Sequence, residues 1–320
     1  MTSGMQIEDT HGTVWKSDGA RGLAAVCLAA ALLAGCSGGN DTRRQSAARS
    51  PTDARPRIET LQNTGSDTLV NLALAWAETY MGIHPEVRIS VTGGGSGTGI
   101  ASLINGTIQI ANASREMSAE ELAAAKKNGI TPVRFTVALD AIAVVENPEN
   151  PISGLTIKQI SDMYTGKLGR WSEVGGDDRP IVLLSRESNS GTYVYFLEQV
   201  VRRGDPKNAG LFSPATLLMP SSEGITAEIR QNPNAIGYDG LGYVTGDMKK
   251  VAIARGAASR FVLPSAQTVR DGSYPVSRPL YMYTAGQPEG LIKSYLDWVM
   301  HDGQEQVQQL GFVPLPRSGK

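Results

Sequence analysis

Cysteine is nearly missing: Cys27 and Cys36 are the only two, both close to the N-terminus. A disulfide framework or a thiolate metal site is therefore excluded for everything after them. Histidine is as scarce, with only His84 and His301 beyond residue 36, neither in a segment rich in hydroxyl residues. A serine nucleophile would thus have no base beside it. Ser96 and Ser190 both lie outside a Gly-x-Ser-x-Gly pattern, and the Walker A pattern does not occur. No His, Cys or carboxylate cluster has metal-ligand spacing, so neither a metal nor a cofactor is expected. These absences count against the competing class, a phosphatase-like enzyme. Charge is thin too: 19% of residues are charged and the net charge is −1, so no broad basic surface exists for nucleic acid.

Long apolar runs are also lacking, with one informative exception. Residues 23–34 are almost wholly apolar and follow Lys16 and Arg21. The run is too short to cross a bilayer but fits the core of a secretory signal. It ends in Leu33-Ala34-Gly35-Cys36, which resembles a bacterial lipobox. This implies a signal peptide over 1–35, acylation of Cys36 and an extracytoplasmic protein anchored to a bacterial membrane. Residues 37–57 are rich in Ser, Gly, Asn, Ala, Arg and Pro. Such a composition buries too little apolar surface to fold and reads as a disordered tether reaching about 25 Å.

What the remaining chain does contain is a set of glycine and hydroxyl residues ahead of helical patterns. They are Gly65-Ser66-Asp67-Thr68, the segment 93–99 (Gly-Gly-Gly-Ser-Gly-Thr-Gly) and the segment 185–192 (Ser-Arg-Glu-Ser-Asn-Ser-Gly-Thr). A helix start offers unpaired N–H donors and a positive dipole end, glycine permits close approach, and Ser or Thr adds a donor. Together they predict a dry cage for an oxyanion. Around them, strand patterns at 57–62, 87–92, 108–113 and 133–145 alternate with helical patterns at 69–80, 100–104 and 119–127. Ser118 and Glu121 have the spacing of a capping box, and Thr156 caps a helix through Tyr164. Strands at 181–184, 235–238 and 278–284 and helices near 196–201, 225–230 and 291–300 complete an α/β sheet protein. Trp76, Tyr80, Tyr164 and Trp171 fall in apolar patterns and are expected in the core.

Several strings occurring in order carry a resemblance. They are Gly65-Ser66-Asp67-Thr68, residues 93–99, Ala113-Ser114-Arg115, Tyr164-Thr165-Gly166-Lys167, residues 186–192, Ala235-Ile236-Gly237-Tyr238 and the Tyr-Pro-Val-Ser-Arg-Pro of 274–279. Jointly the chain resembles the phosphate-binding receptor family of bacterial ABC importers. The resemblance implies a two-lobed α/β periplasmic-binding-protein fold of Venus-flytrap type, type II-like. Lobe I would comprise 58–145 and 277–320, and lobe II 146–276, with chain crossings near 140–147 and 273–283. It further implies inorganic phosphate as ligand, an ABC permease as partner, and action as a monomer without catalysis. The implied ligand set is Ser66, Asp67, Thr68, Ser96, Gly97, Thr98, Ser114 and Arg115 from the first lobe, and Arg186, Ser190, Gly191 and Thr192 from the second. Some members of the family place an acid after Ala-Ser to accept the ligand's proton, whereas Arg115 stands there in this chain. That role passes by expectation to Asp67, whose alternative is an ordinary N-cap. For Arg115 an ion pair competes with anion contact, for Arg186 a structural salt bridge with Glu187 does, and for 93–99 the alternative is a flexible turn. Sulfate, molybdate and tungstate remain competing ligands.

Overall fold

The computed structural model describes residues 58–316. The proposed signal, lipobox and tether lie outside the described residues. The chain enters as β1 (Glu59–Gly65), in which Leu61, Asn63 and Gly65 turn inward while Thr60 and Gln62 face out, the period of two that a half-buried strand requires. A 3₁₀ turn (Asp67–Leu69) leads into α1 (Val70–Ile83), whose buried Leu72, Ala73, Trp76, Ala77 and Tyr80 form one stripe. Next come β2 (Val87–Thr92), α2 (Ser96–Ile104), β3 (Ile110–Ala113) and α3 (Ala119–Lys127). Ser118 caps α3 with the expected reciprocal box, its hydroxyl accepting from Glu121 N while Glu121 Oε2 accepts from Ser118 N at 2.8 Å.

β4 (Val133–Glu146) is the axis of the molecule. Its residues 133–141 pair antiparallel with β11 (Ser277–Thr284), and its residues 142–146 pair antiparallel with β8 (Ala235–Gly240). One strand therefore serves two lobes. On the first side the strand order is β2-β1-β3-β11-β4, with β1 parallel to both β2 and β3. On the second side the sheet continues from β4 through β8 and β6 (Val182–Arg186) to β7 (Leu217–Met219). A small parallel pair of β5 (Gly154–Thr156) with β10 (Ala252–Ala254) lies apart, and β9 (Lys249–Lys250) adds to the end of β4.

The second-lobe helices are α4 (Ile157–Tyr164), α5 (Gly191–Phe196), α6 (Ser222–Gln231) and α7 (Ala266–Arg270). The stripe expected at 196–201 is not one α-helix: α5 starts at Gly191 and widens into a π-helical turn over Leu197–Val201. After β11 the chain forms α8 (Gly290–Met300) and α9 (Gln304–Gln309), which return to the first lobe's core of Leu61, Leu72, Trp76, Val137, Leu280 and Tyr295. The second lobe packs around Ile142, Val144, Tyr164, Trp171, Phe196 and Tyr238. Each such side chain contributes roughly 1.5–3 kcal/mol by leaving water. Trp76, Tyr80, Tyr164 and Trp171 are all core residues, as expected. Among the described residues no helix is long and apolar enough to cross a membrane.

Candidate functional site

Three helical starts converge where β4 passes between the lobes. Gly65 ends β1 at φ +142°, and a Cβ there would sit 2.2 Å from Asn112 O, so only glycine lets β1 turn this close to β3. The turn delivers Ser66, which is buried and whose Oγ has no protein partner, followed by Asp67 and Thr68. Ser96 opens α2, and its Oγ accepts from Ser114 N at 3.0 Å and lies 3.2 Å from Ser114 Oγ. From the other lobe, Ser190 caps α5 by accepting from the amides of Thr192 and Tyr193. The hydroxyl hydrogen of Ser190 stays available, because the cap uses only its lone pairs.

The two sets of hydroxyls meet. Thr68 Oγ1 and Thr192 Oγ1 are 2.8 Å apart across the lobe boundary. Gly191 lies so close to the first lobe that a Cβ on it would fall 2.4 Å from Ser96 Oγ and 2.6 Å from Ser114 Oγ. Asn189 ties the same edges, donating to Gly94 O at 2.8 Å and accepting from Gly97 N at 3.0 Å. Ser66, Thr68, Ser96, Ser114, Ser190 and Thr192 are each at most 3% exposed. A water-excluded ring of neutral donors on two bodies suits an anion that offers acceptors on every side.

Charge enters through two buried arginines. Arg186, 1% exposed, donates through Nη1 to Ser222 Oγ at 3.0 Å and through Nη2 to Pro220 O at 3.0 Å, and pairs with Asp67 Oδ2 at 3.0 Å. Its carboxylate partner is thus Asp67 from the opposite lobe, not its neighbour Glu187. Asp67 Oδ2 also accepts from Ser222 N at 2.9 Å, at the start of α6. Behind this pair Ser222 Oγ donates to Asp239 Oδ1 at 2.8 Å, and burial lifts the Asp239 carboxyl to about 7 against the pull of Arg186. Arg278 pairs with Asp140 Oδ2 at 3.1 Å, both fully enclosed, and burial pushes Asp140 upward while Arg278 opposes it.

The family model of the PBP superfamily domain matches residues 50–302. The Pseudomonas aeruginosa phosphate-binding protein PstS is 36% identical over 274 residues, covering 80% of this chain and 83% of that protein. A Clostridium perfringens substrate-binding protein, crystallised with bound phosphate, superposes with TM-score 0.71 at 30% identity, covering 81% of this chain and all (100%) of that one. An ABC-type phosphate transport receptor from Vibrio cholerae gives TM-score 0.65 at 25% identity over 80% of this chain and 100% of its own. The chain belongs to the phosphate-binding receptor family of the PBP superfamily. The two-lobed α/β fold expected from the sequence is the fold of that family.

Within this receptor fold the structure separates the implied ligand set. Thr98 stands on the exposed face of α2 and its Oγ1 donates back to Gly94 O at 2.8 Å, because two residues beyond Ser96 a helix has turned away by more than half a turn. Arg115 is held by Glu121, Nη1 to Oε2 at 2.7 Å and Nη2 to Oε1 at 2.8 Å, with Nη1 also on Glu116 O at 2.9 Å. The bidentate pair occupies the face of the guanidinium that an anion would need. Gly97 gives its amide to Asn189 O rather than to the ring. Three participants were absent from the implied ligand set: Asn189 and Arg278, which both lie inside the quoted strings, and Asp140. Asp140 carried a readable signal, being the one carboxylate inside the apolar run 137–145, where an unpaired charge is too costly to persist. His84 and His301 sit at the ends of α1 and α8, bonded to Glu86 and Asp297 O. Among the described residues no group of His, Cys, Asp and Glu forms a metal site.

Proposed function

We propose that this chain is an extracytoplasmic receptor that captures inorganic phosphate by closing its lobes and delivers it to the permease of an ABC importer. The observation that carries this reading is the meeting of Thr68 with Thr192 and of Gly191 with Ser96 and Ser114, which makes the donor ring complete only in the closed form. Ser66, Thr68, Ser96 and Ser114 bind from one lobe, and Arg186, Ser190, Gly191 and Thr192 from the other. Asp67 accepts the proton of hydrogen phosphate. Kinship with a phosphate-binding protein at 36% identity and with a phosphate-bound structure at TM-score 0.71 supports the ligand. The donor ring has no general base bonded to any of its hydroxyls, which supports binding without turnover. The chain acts as a monomer, anchored through acylated Cys36, with 58–145 and 277–320 as one lobe and 146–276 as the other.

Calorimetric titration of the purified protein with phosphate, sulfate and molybdate tests the ligand. Phosphate is expected to bind with 1:1 stoichiometry and at least a hundredfold preference, roughly 2.7 kcal/mol. Equal or tighter binding of sulfate or molybdate overturns the assignment.

A further inference from the structure

We propose that Arg278, held by Asp140, is a positioning residue that makes the threonines of both lobes donate toward the anion. The inference rests on the phosphate reading of the same ring and adds to it a residue that does not touch the anion.

Arg278 on β11 is register partner of Asp140 on β4, next to where β4 changes from one lobe's sheet to the other's. It is 2% exposed and Asp140 is 0% exposed. The guanidinium reaches three groups at the ring's rear. Nη2 donates to Thr192 Oγ1 at 2.9 Å and more distantly to Thr68 Oγ1 at 3.4 Å, while Nη1 donates to Ser114 O at 3.0 Å. Nε and Nη2 both serve Asp140 Oδ2, at 3.3 and 3.1 Å. Asp140 Oδ1 accepts from Leu241 N at 3.0 Å, so the pair is fastened to the second lobe as well.

A guanidinium is a donor only, and a hydroxyl has one hydrogen and two lone pairs. Any hydroxyl that Arg278 touches must accept there, which leaves its own hydrogen to point elsewhere. With Thr68 and Thr192 at 2.8 Å, one of them donates to the other. An oxyanion arriving beside them takes both hydrogens, since Arg278 occupies a lone pair of each hydroxyl. Asp140 cancels the charge of Arg278. The ring therefore gains direction without gaining net positive charge, and Arg278 acts through the threonines rather than on the anion.

The test is a double-mutant cycle read by phosphate calorimetry on folded protein: wild type, Arg278→Gln, Thr192→Val and both together, with Arg278→Lys as the conservative variant. Arg278→Gln and Thr192→Val are each expected to weaken phosphate binding at least tenfold. The double variant should fall within about threefold of the weaker single one, because both remove the same directed hydroxyl. Arg278→Lys should recover part of the loss, its ammonium donating to Thr192 though not to all four acceptors. Where Arg278→Gln does not fold, Asp140→Leu/Arg278→Leu replaces it, leaving no buried charge unpaired. A folded Arg278 variant that binds phosphate within threefold of wild type, or losses that multiply with those of Thr192→Val, overturns the inference alone. A wild-type protein that binds no phosphate overturns the reading of the site itself.

Discussion

At the scale of single residues, the proton-acceptor role proposed for Asp67 would set which anion the ring accepts. Its Oδ2 sits 3.0 Å from Arg186 Nη2, so an arriving anion shares that guanidinium with a carboxylate. An oxygen that still carries a proton can donate to Asp67, whereas sulfate presents only lone pairs to it and is repelled. Asp67→Asn is expected to retain phosphate binding and to raise sulfate binding, changing the ratio of the two affinities by more than threefold, or about 0.6 kcal/mol. Titrations of both anions at neutral pH measure that ratio. A ratio within threefold of wild type would return Asp67 to the part of a helix cap. The ring's hydroxyl residues were readable because Ser, Thr and Gly cluster three times before helical patterns, more densely than single N-caps require. Whether a given hydroxyl faced the ring was not readable: Thr98 and Ser96 share one segment and point opposite ways.

Among elements, the contact that limits closure is the start of α5 against the starts of α2 and β3's following loop. Gly191 has no space for a methyl group, with Ser96 Oγ and Ser114 Oγ at 2.4 and 2.6 Å from where a Cβ would stand. Both obstructing atoms belong to short, buried side chains that cannot swing aside. Gly191→Ala is expected to fold normally, since the first turn of a helix tolerates alanine, yet to hold the lobes apart. Phosphate affinity should drop at least tenfold with thermal stability nearly unchanged. Small-angle scattering gives the second readout: the wild type is expected to compact on adding phosphate, and the variant is not. Full compaction of Gly191→Ala would remove this contact from the closing mechanism. The same elements show what local patterning reads well. The capping box of α3, the Thr156 cap of α4 and the bounds of β2 depend on neighbours in sequence, and all three occur where the pattern puts them. The π-helical turn at Leu197–Val201 depends on packing and left no local trace.

For the whole molecule, two buried carboxyls, Asp239 beside the site and Glu146 away from it, shape stability against pH. Burial raises Asp239 from 3.8 to about 7 and Glu146 from 4.5 to about 7, the latter despite Lys249 at 3.1 Å. A carboxyl with a raised folded-state pKa holds its proton more tightly when folded. Its contribution to stability is complete below its unfolded pKa and is lost as pH rises through the folded one. Unfolding free energy should therefore fall between about pH 4 and pH 7, by up to about 1.4 kcal/mol per pH unit for each such group. Asp239→Asn should reduce that slope by about one proton's share. Urea unfolding at pH 5, 6 and 7 measures it, and an unchanged slope would show that Asp239 is ionised throughout.

Local chemistry dictated a great deal here. Periodicity specified an α/β chain, the helix-start clusters suggested an oxyanion site, and a set of motifs in order pointed to the family, because each of these depends on residues close together in sequence. Tertiary structure alone decided the rest. β4 meets β11 through one half and β8 through the other, which makes the lobes and the cleft one construction. Asp67 and Arg186 stand 119 positions apart, and Asp140 and Arg278 138 apart. No local pattern announces a pair at such separations, since a charge chooses its partner only after the sheet has brought the two strands together and removed the water between them.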